Sequence, residues 1–520
     1  MAVELEKSHN ARRNIFWGII NKLISILLPF VNRTVFLYVL GIEFLGLNSL
    51  FASVLQVLNL AEMGVGSALV YSMYKPIAAG DKSMICALLS LYRKIYRYIG
   101  VMILLAGSMV IPFLPNFVQG DPPAGISLSL AYIIYLGNTV ISYFCYGYKN
   151  ALPNAFQRVD IITNIASLTQ IITCILQIVL LYVVADYYVY LIVMPLTTFL
   201  NNWLTAKAVN HYYPEYTCTG IVPKHIRGEI KRKVFGLLIG KICGTTRNAL
   251  DSICLSMFIG LSVTAIYNNY LYVVMAVTGV FGVVGASVMA GVGNSMELYD
   301  RNKNYQDMRR MNFIYMLMSG WATVIILCLI QPFMELWTGK DFMLPLDVVI
   351  LLVLYFYLLR MGDIRAVYSD AAGLWWETRY RAVAESIANI ILNVVLGKLF
   401  GVRGIIWATL ISLFFINFCW GSQIVFRYYF KNGKIWRYFI DHLKYMGVTI
   451  VVMGLTYRVC CLLPIENLWL NLLGRTVVCL LVPAVLYIVI WYWTSEYQQV
   501  MRWFLLRMRL LDRFGFLLSR

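Results

Sequence analysis

Long apolar segments alternate with short polar connections along the whole chain. A hydrocarbon core about 30 Å thick is crossed by a helix of about 20 mostly apolar residues. Runs of that kind lie near 14–40, 44–72, 85–115, 126–149, 160–184, 187–209, 234–259, 262–290, 311–336, 346–372, 383–402, 404–426, 442–463 and 469–494. The pattern predicts an all-α integral membrane protein with about 14 transmembrane helices.

The predicted helices fall into two groups of six and a terminal pair. Lys22 and Gly41 recur 219 residues later as Lys241 and Gly260, which favours an internal repeat. Because six spans is an even number, two such copies would share one orientation and enclose a central cavity. We expect an N-terminal lobe at 1–210, a basic cytoplasmic linker at 211–233, a second lobe at 234–430, a helix pair at 431–494 and an amphipathic cytoplasmic tail helix at 495–520.

Basic residues concentrate on every second connection. Only Lys340, Lys398, Arg403 and Arg458 fall on the opposite side of the predicted membrane, whereas the loops around 224–233, 301–310 and 427–437 are strongly basic. Cytoplasmic loops carry the excess of Lys and Arg in membrane proteins. The alternation therefore predicts that both termini are cytoplasmic.

Composition excludes several classes of protein. Hydrophobic residues make up 60% of the chain and charged residues 13%, and the mean hydropathy is +0.72. The net charge of +18 lies in short loops beside the membrane, so we expect it to contact anionic lipid and no nucleic acid. Scattered Cys and His without metal-ligand spacing predict no metal site, and the N-terminus predicts an uncleaved first helix. No catalytic domain fits the short outer loops, so we expect no enzyme.

A few charges lie deep inside the predicted spans. A charged side chain at the bilayer centre costs about 2.5–3.5 kcal/mol, so each one needs a partner or a wet cavity. Arg247 precedes Asp251 by four residues and Arg360 precedes Asp363 by three, spacings that place each pair on one helical face. We interpret these arginines either as the lining of a polar cavity or as parts of structural ion pairs.

Further deep charges extend the predicted cavity. Arg365 and Asp370 follow in the tenth span, and Arg33 lies in the first. Lys22 and Glu62 lie at similar depth, so they could form an ion pair, or Glu62 could take up a proton during a transport cycle. The predicted cationic cavity comprises Arg247, Arg360, Arg33, Lys22, Lys241 and Arg365, with Glu62, Asp251, Asp363 and Asp370 as ion-coupling or ion-pairing groups.

Residues 29–81 closely resemble the opening of the Wzx-type polysaccharide flippases. The stretches LGIEFLGLNSLF, LAEMGVGSAL and KPIAAGD carry the match. These flippases belong to the MOP superfamily with the MurJ-type lipid II flippases and the MATE exporters. The resemblance implies two six-helix lobes, alternating access and, as in MurJ-like proteins, an extra terminal helix pair.

The resemblance also implies a cargo and a location. The cargo would be an undecaprenyl-diphosphate-linked oligosaccharide repeat unit. It would move from the inner to the outer leaflet of the bacterial cytoplasmic membrane, for O-antigen, capsule or exopolysaccharide synthesis. Membrane lipids, a polysaccharide polymerase and chain-length machinery are the expected partners. No cofactor is expected apart from H⁺ or Na⁺ coupling. The alternative is a MATE-like ion-coupled exporter of small cationic compounds, although the deep basic residues favour an anionic cargo.

Overall fold

The computed structural model describes residues 7–62, 65–120, 122–123, 125–431 and 433–507. These residues form helices and turns and no strand. Ten helices are long and apolar enough to cross a membrane, or up to eleven if the bent pair Leu128–Phe144 and Gly147–Ala155 counts as one span. The chain is therefore a multi-pass, all-helical membrane protein, as the hydropathy pattern predicts.

The helices divide between two compact units, Met1–Ala265 and Ile266–Arg520. The first unit contains α1 (Lys7–Leu40), α2 (Ile42–Leu58), α3 (Val65–Ala79), α4 (Lys82–Val110), α5 (Leu128–Phe144), α6 (Ala151–Ala155), α7 (Val159–Val184), α8 (Tyr187–Tyr212) and α9 (Lys224–Phe258). The helix α10 (Leu261–Leu298) begins in the first unit and continues in the second. The second unit contains α11 (Arg301–Thr338), α12 (Leu346–Met361), α13 (Asp363–Ala371), α14 (Trp375–Phe400), α15 (Val402–Ile411), α16 (Gly421–Val425), α17 (Ile435–Cys461), α18 (Leu468–Trp491) and α19 (Ser495–Arg507).

Three predicted spans are not among the helices that pass the length and composition test in the described part of the chain. The span predicted at 44–72 is interrupted after α2, where Asn59–Glu62 forms a 3₁₀ turn. The span predicted at 346–372 divides at Gly362 between α12 and α13. The span predicted at 234–259 lies within the continuous helix α9, of which Ala249–Phe258 is a short apolar part. The exact count of fourteen stays a prediction.

The helix boundaries repeat along the chain at the predicted spacing. Gly41 and Gly260, 219 residues apart, each precede a helix with a positive φ, +97° and +120°. Asp81 and Asp300 are separated by the same number of residues and cap α4 and α11. Each carboxylate accepts a hydrogen bond from the backbone N–H three residues later, of Met84 at 2.9 Å and of Lys303 at 3.1 Å. Carboxylates stabilise a helix N-terminus by satisfying its free N–H groups. The two halves of the sequence therefore start their helices with the same local signals.

The predicted linker and tail are partly helical. Within 211–233, α8 ends at Tyr212 and α9 begins at Lys224. The predicted tail helix begins as α19 and is described as far as Arg507, so the prediction for 508–520 lies outside the described residues. The division into lobes at 210 and 234 stays a prediction.

Each unit is held by helix packing of its own. In the first unit α1 contacts α7, α7 contacts α8, and α5 contacts α8. In the second unit α11 contacts α12, α17 and α18. These contacts place polar side chains of the packed helices inside each unit, where they form the sites described below.

Close helix packing at Gly46 in α2 leads to a stability prediction. A Cβ added there would lie 2.3 Å from the backbone O of Leu261, at the start of α10. Neither backbone can move away easily, so we expect Gly46→Ala to lower the free energy of unfolding by about 1–3 kcal/mol. Thermal unfolding in detergent measures the effect. Gly137→Ala in α5 is the control because its Cβ would meet nothing within 4 Å, and equal melting of both variants would contradict the packing.

Candidate functional site

Irregular backbone marks the most polar part of the second unit. The helix α12 ends at Met361 and α13 begins at Asp363, so the helix is interrupted at Gly362. At membrane depth, such breaks are tolerated only where protein or a water-filled cavity surrounds them. Arg360 and Arg365 lie on either side of this break and are 5% and 4% exposed. The break thus places two buried guanidinium groups near one another along the chain.

The Arg360 side chain has a specific set of contacts. Its Nη1 lies 2.8 Å from Oδ2 of Asp363, so the pairing predicted from the spacing is confirmed. The hydroxyl of Tyr315 donates to the same carboxylate oxygen. The guanidinium also lies over the rings of Phe281 and Phe356, 5.9 and 5.8 Å from their centroids. The Asp363 side chain is 30% exposed, so this ion pair is accessible from the Asp363 side.

Arg365 belongs to a second set of buried contacts. Its Nη2 donates to Oδ1 of Asn417 at 3.2 Å, and Nδ2 of Asn417 donates to Glu385 at 2.9 Å. Arg381 donates to the same Glu385 oxygen at 2.8 Å. Asn417 lies in a π-helical stretch, Ser412–Trp420, and such stretches often occur at functional sites. Gly421 leaves room for the guanidinium, because a Cβ there would lie 2.0 Å from Nη1 of Arg365.

These two sets form what we call the arginine network: Arg360, Asp363, Tyr315, Arg365, Asn417, Glu385 and Arg381. Its three guanidinium groups lie beside the carboxylates of Asp363 and Glu385, and Asp370 also interacts electrostatically with Arg365 and Arg381. Each guanidinium also has a buried Nε without a hydrogen-bond partner among the described residues. Buried donors of this kind are normally paired, and an unpaired one is costly. The arginine network therefore has unused hydrogen-bond donors.

Glu62 in the first unit has partners that depth alone does not predict. The hydroxyls of Tyr96 and Tyr143 both donate to its carboxylate. Tyr143 also donates to Oδ1 of Asn59 at 3.2 Å. Lys22 is exposed in α1, and the Lys22–Glu62 pair stays a prediction. The 3₁₀ turn at Asn59–Glu62 follows the end of α2 and presents Glu62 to tyrosines of α4 and α5.

The other predicted site residues lie in different environments. Arg247 and Asp251 are both buried in α9, 6% and 2% exposed. Arg33 is half-buried in α1, and Asp370 is exposed at the end of α13. Lys241 lies in α9, and its side chain is outside the described residues. Lys22, Arg33, Lys241 and Arg247 belong to the first unit, whereas Arg360 and Arg365 belong to the second. Their role as a shared binding site stays a prediction.

Sequence reasoning missed several buried polar residues. Glu385, near the start of the span predicted at 383–402, is 1% exposed and receives two hydrogen bonds. A pocket in the first unit is lined by amide and hydroxyl side chains of α1, α5, α7 and α8. The recurrence of Thr169, Thr173 and Gln177 at four-residue spacing in α7 was an available signal.

Three cysteines also come together unexpectedly. The sulfur atoms of Cys328, Cys460 and Cys479 lie within 4.8 Å of one another, and all three residues are buried. Thiolates at such distances are a donor set for soft metal ions, but buried thiols also pack as small apolar groups. The prediction that the chain has no metal site stays a prediction.

Comparisons with known proteins identify the fold. No protein-family model and no curated protein matches the chain. Among solved structures, the lipid II flippase MurJ in an inward closed conformation matches with a TM-score of 0.67 and 15% identity, over 92% of this chain and 99% of MurJ. An inward-facing multidrug resistance MATE family transporter of the MOP superfamily matches with a TM-score of 0.60 and 16% identity, over 80% of this chain and 99% of the transporter.

A third similar structure is the eukaryotic MATE transporter AtDTX14, with a TM-score of 0.57 and 13% identity over 84% of this chain and 99% of the transporter. Identities this low establish the fold alone. The similarity nevertheless extends over nearly the full length of all three structures. The chain therefore has the fold of the MurJ lipid II flippase and of the MATE transporters of the MOP superfamily.

Proposed function

We propose that this protein is a flippase for lipid-linked oligosaccharides. It moves undecaprenyl-diphosphate-linked repeat units from the inner to the outer leaflet of the bacterial cytoplasmic membrane, for polysaccharide synthesis. The observation that carries the proposal is the arginine network. It presents buried, incompletely paired guanidinium groups within a membrane fold that a lipid II flippase shares.

The unused guanidinium donors of the arginine network support an anionic cargo. Arginine forms bidentate hydrogen bonds with phosphate, and such charge-assisted bonds are roughly twice as strong as neutral ones. In the arginine network, Asp363 and Glu385 already accept hydrogen bonds from arginine, tyrosine or asparagine side chains. A site for a cationic drug would need carboxylates that remain available. The network instead leaves guanidinium donors available, as a diphosphate requires.

The aromatic neighbours of Arg360 support the same cargo. Its guanidinium lies over two phenylalanine rings, which hold its plane without using its donors. The pairing oxygen of Asp363 is shared with Tyr315, so this carboxylate could exchange arginine for tyrosine when a phosphate arrives. Translocation of this kind needs no covalent chemistry, and the proposal therefore gives none of these residues a catalytic role.

Transport by the purified protein tests the proposal. Vesicles would contain the protein and a polyprenyl diphosphate oligosaccharide with a fluorescent label that dithionite reduces only in the outer leaflet. We expect protein-containing vesicles to lose the fluorescence of both leaflets, because the flippase brings the inner pool to the outer surface. Protein-free vesicles lose only the fluorescence of the outer pool.

A parallel assay addresses the alternative exporter. The same protein would be given ethidium, a permanent cation, under an imposed proton or sodium gradient. Ethidium accumulation together with an unreduced inner pool of lipid-linked oligosaccharide would contradict the flippase proposal and support a MATE-like exporter.

A further inference from the structure

An uncharged polar pocket lies in the first unit. It has a volume of about 390 Å³, within the range of about 300–1,000 Å³ that is usual for small-molecule sites. We call it the amide pocket and define it by Asn32, Asn138, Gln170, Gln177, Asn201 and Asn202. Its remaining lining residues are threonine, serine, cysteine, alanine or apolar residues, and none carries a charge.

Some of these polar groups hold the walls of the pocket together. Nδ2 of Asn32 in α1 donates to Oε1 of Gln177 in α7 at 2.7 Å. Thr198 in α8 donates to Oδ1 of Asn138 in α5 at 2.7 Å. Polar residues often join membrane helices in this way. Helix association therefore explains why the polar groups that are bonded to each other are present. It does not explain the other polar groups of the amide pocket.

Two buried polar atoms in the pocket wall make no hydrogen bond with any described residue. Asn202 is 5% exposed, and its Nδ2 makes no hydrogen bond with any described residue. Oδ1 of Asn32 is also buried and unpaired within the described part of the chain. A buried polar group without a partner is unfavourable, so such groups point to a ligand or water. Here the free groups are one donor and one acceptor.

The chemistry of these groups restricts the ligand. A sugar hydroxyl or acetamido group both donates and accepts hydrogen bonds, which matches the free amide groups of Asn202 and Asn32. A diphosphate would find no positive charge in this pocket. A cation would need several oxygen ligands. The side-chain oxygens of Asn138, Asn201 and Asn202, however, already accept hydrogen bonds from neighbouring side chains.

Apolar residues complete the match to a sugar. Leu28, Pro29 and Met194 lie in the pocket lining beside the amides. A pyranose ring has polar edges and less polar C–H faces, so it suits a site that combines amides with a few apolar side chains. The amide pocket has this combination, and α1, α7 and α8, which supply most of its wall, are candidate membrane spans.

We propose that the amide pocket binds an uncharged sugar residue of the lipid-linked cargo during translocation. The proposal rests on the proposed flippase function and adds to it a second point of recognition. The arginine network binds the diphosphate, and the amide pocket selects for a neutral sugar. Asn202 supplies the donor and Asn32 the acceptor.

The test compares sugar-bearing and sugar-free lipids in the dithionite assay. The probes are polyprenyl diphosphates that carry glucose, galactose, N-acetylglucosamine or N-acetylgalactosamine, and bare polyprenyl diphosphate. We expect the wild-type protein to move at least one sugar-bearing lipid faster than the bare lipid. Asn202→Leu keeps the side-chain size but removes the donor. We expect it to slow that lipid about tenfold, as the loss of one buried hydrogen bond implies, and to leave the bare lipid unaffected.

Thr163→Val is the matched control. Thr163 also lies in the first unit, in α7, but its hydroxyl donates to the backbone of its own helix and is not part of the pocket lining. We expect this variant to move all the lipids as the wild-type protein does. Equal slowing of bare and sugar-bearing lipids by Asn202→Leu would indicate a structural role and overturn the proposal. Unchanged transport of every lipid by the Asn202→Leu variant would also overturn the proposal.

A binding measurement separates this proposal from the flippase proposal. The thermal unfolding of wild type and Asn202→Leu would be measured with each of the four free sugars. A rise in melting temperature in the wild type that disappears in the variant supports the pocket assignment even if no lipid is moved. If the wild type moves lipid-linked glycans without discrimination and no sugar changes its melting, the flippase proposal stands and the amide pocket assignment fails.

Discussion

The double substitution Arg360→Ala with Asp363→Asn is expected to leave the protein inserted and folded but to slow translocation of the lipid-linked glycan at least about tenfold. A hydrogen bond to a charged group contributes about 1.5–3 kcal/mol, and a factor of ten in an equilibrium constant corresponds to about 1.4 kcal/mol. Removal of both members of the ion pair leaves no unpaired charge behind. The loss of transport would therefore reflect the missing Arg360–Asp363 pair and not an unpaired charge.

The single substitution Arg360→Ala separates an effect on cargo binding from an effect on stability. Arg360→Ala alone leaves the Asp363 carboxylate without its ion partner, which is expected to lower stability by about 1–3 kcal/mol. If Arg360 were only structural, the double variant would regain both stability and transport. We expect it to regain stability only. Thermal unfolding and the dithionite assay on the same preparations give the two readouts.

A matched control exists in the same unit. Arg403 and Asp347 form an ion pair whose side chains are 55% and 52% exposed. The double substitution Arg403→Ala with Asp347→Asn makes the same chemical change at an exposed site. Exposed ion pairs contribute about 0–1 kcal/mol, so we expect little effect on stability or transport. Equal loss of transport in both double variants would remove Arg360 from the proposed binding site.

Glu385→Ala is expected to have the largest effect on stability of any single change in the arginine network. Glu385 is 1% exposed and accepts hydrogen bonds from Arg381 and Asn417. Without it, Arg381, whose side chain is 15% exposed, loses the carboxylate to which it donates, and the contact from Asn417 to Arg365 loses its support. Breaking a buried ion pair by removal of one partner costs about 3–5 kcal/mol. The amount of folded protein in detergent and its melting temperature measure the loss.

Two further variants test the cause of that effect. Glu385→Gln keeps an acceptor for Asn417 but removes the charge that balances Arg381, so we expect an intermediate melting temperature. Glu335→Ala removes a carboxylate whose partner Lys340 is 81% exposed, so we expect a change of about 0–1 kcal/mol. Equal melting of the Glu385→Ala and Glu335→Ala variants would show that the buried network contributes nothing specific.

The fold was largely predictable because membrane-spanning helices are recognised by their hydropathy, which depends only on the local amino-acid composition. The repeat was also visible, since Gly41 and Gly260 end corresponding helices with a backbone conformation that favours glycine. The breaks at Asn59–Glu62 and Gly362 were not predictable in the same way. Polar and charged residues occur at both positions, but hydropathy averaged over a whole span does not locate a break, and packing within each unit makes a break there tolerable.

The candidate site was predictable only where partners lie on one helix or across a single break. The three-residue spacing of Arg360 and Asp363 was enough to predict their contact. Depth placed Lys22 near Glu62 but gave no direction around the helix axis, so the tyrosine partners of Glu62 were missed. Asn202 was missed for another reason. A neutral amide changes the hydropathy of a span too little to stand out, and its burial in α8 depends on packing against other helices such as α5 and α7.

Equilibrium binding of the cargo tests the central claim most directly. A fluorescent polyprenyl diphosphate oligosaccharide would be titrated into wild-type protein and the Arg360→Ala, Asp363→Asn double variant, each in lipid nanodiscs. We predict saturable binding to the wild type, an affinity at least about tenfold lower for the double variant, and no competition by ethidium. Equal affinity for both proteins, or displacement of the lipid by ethidium, would contradict the assignment of the arginine network to an anionic lipid-linked cargo.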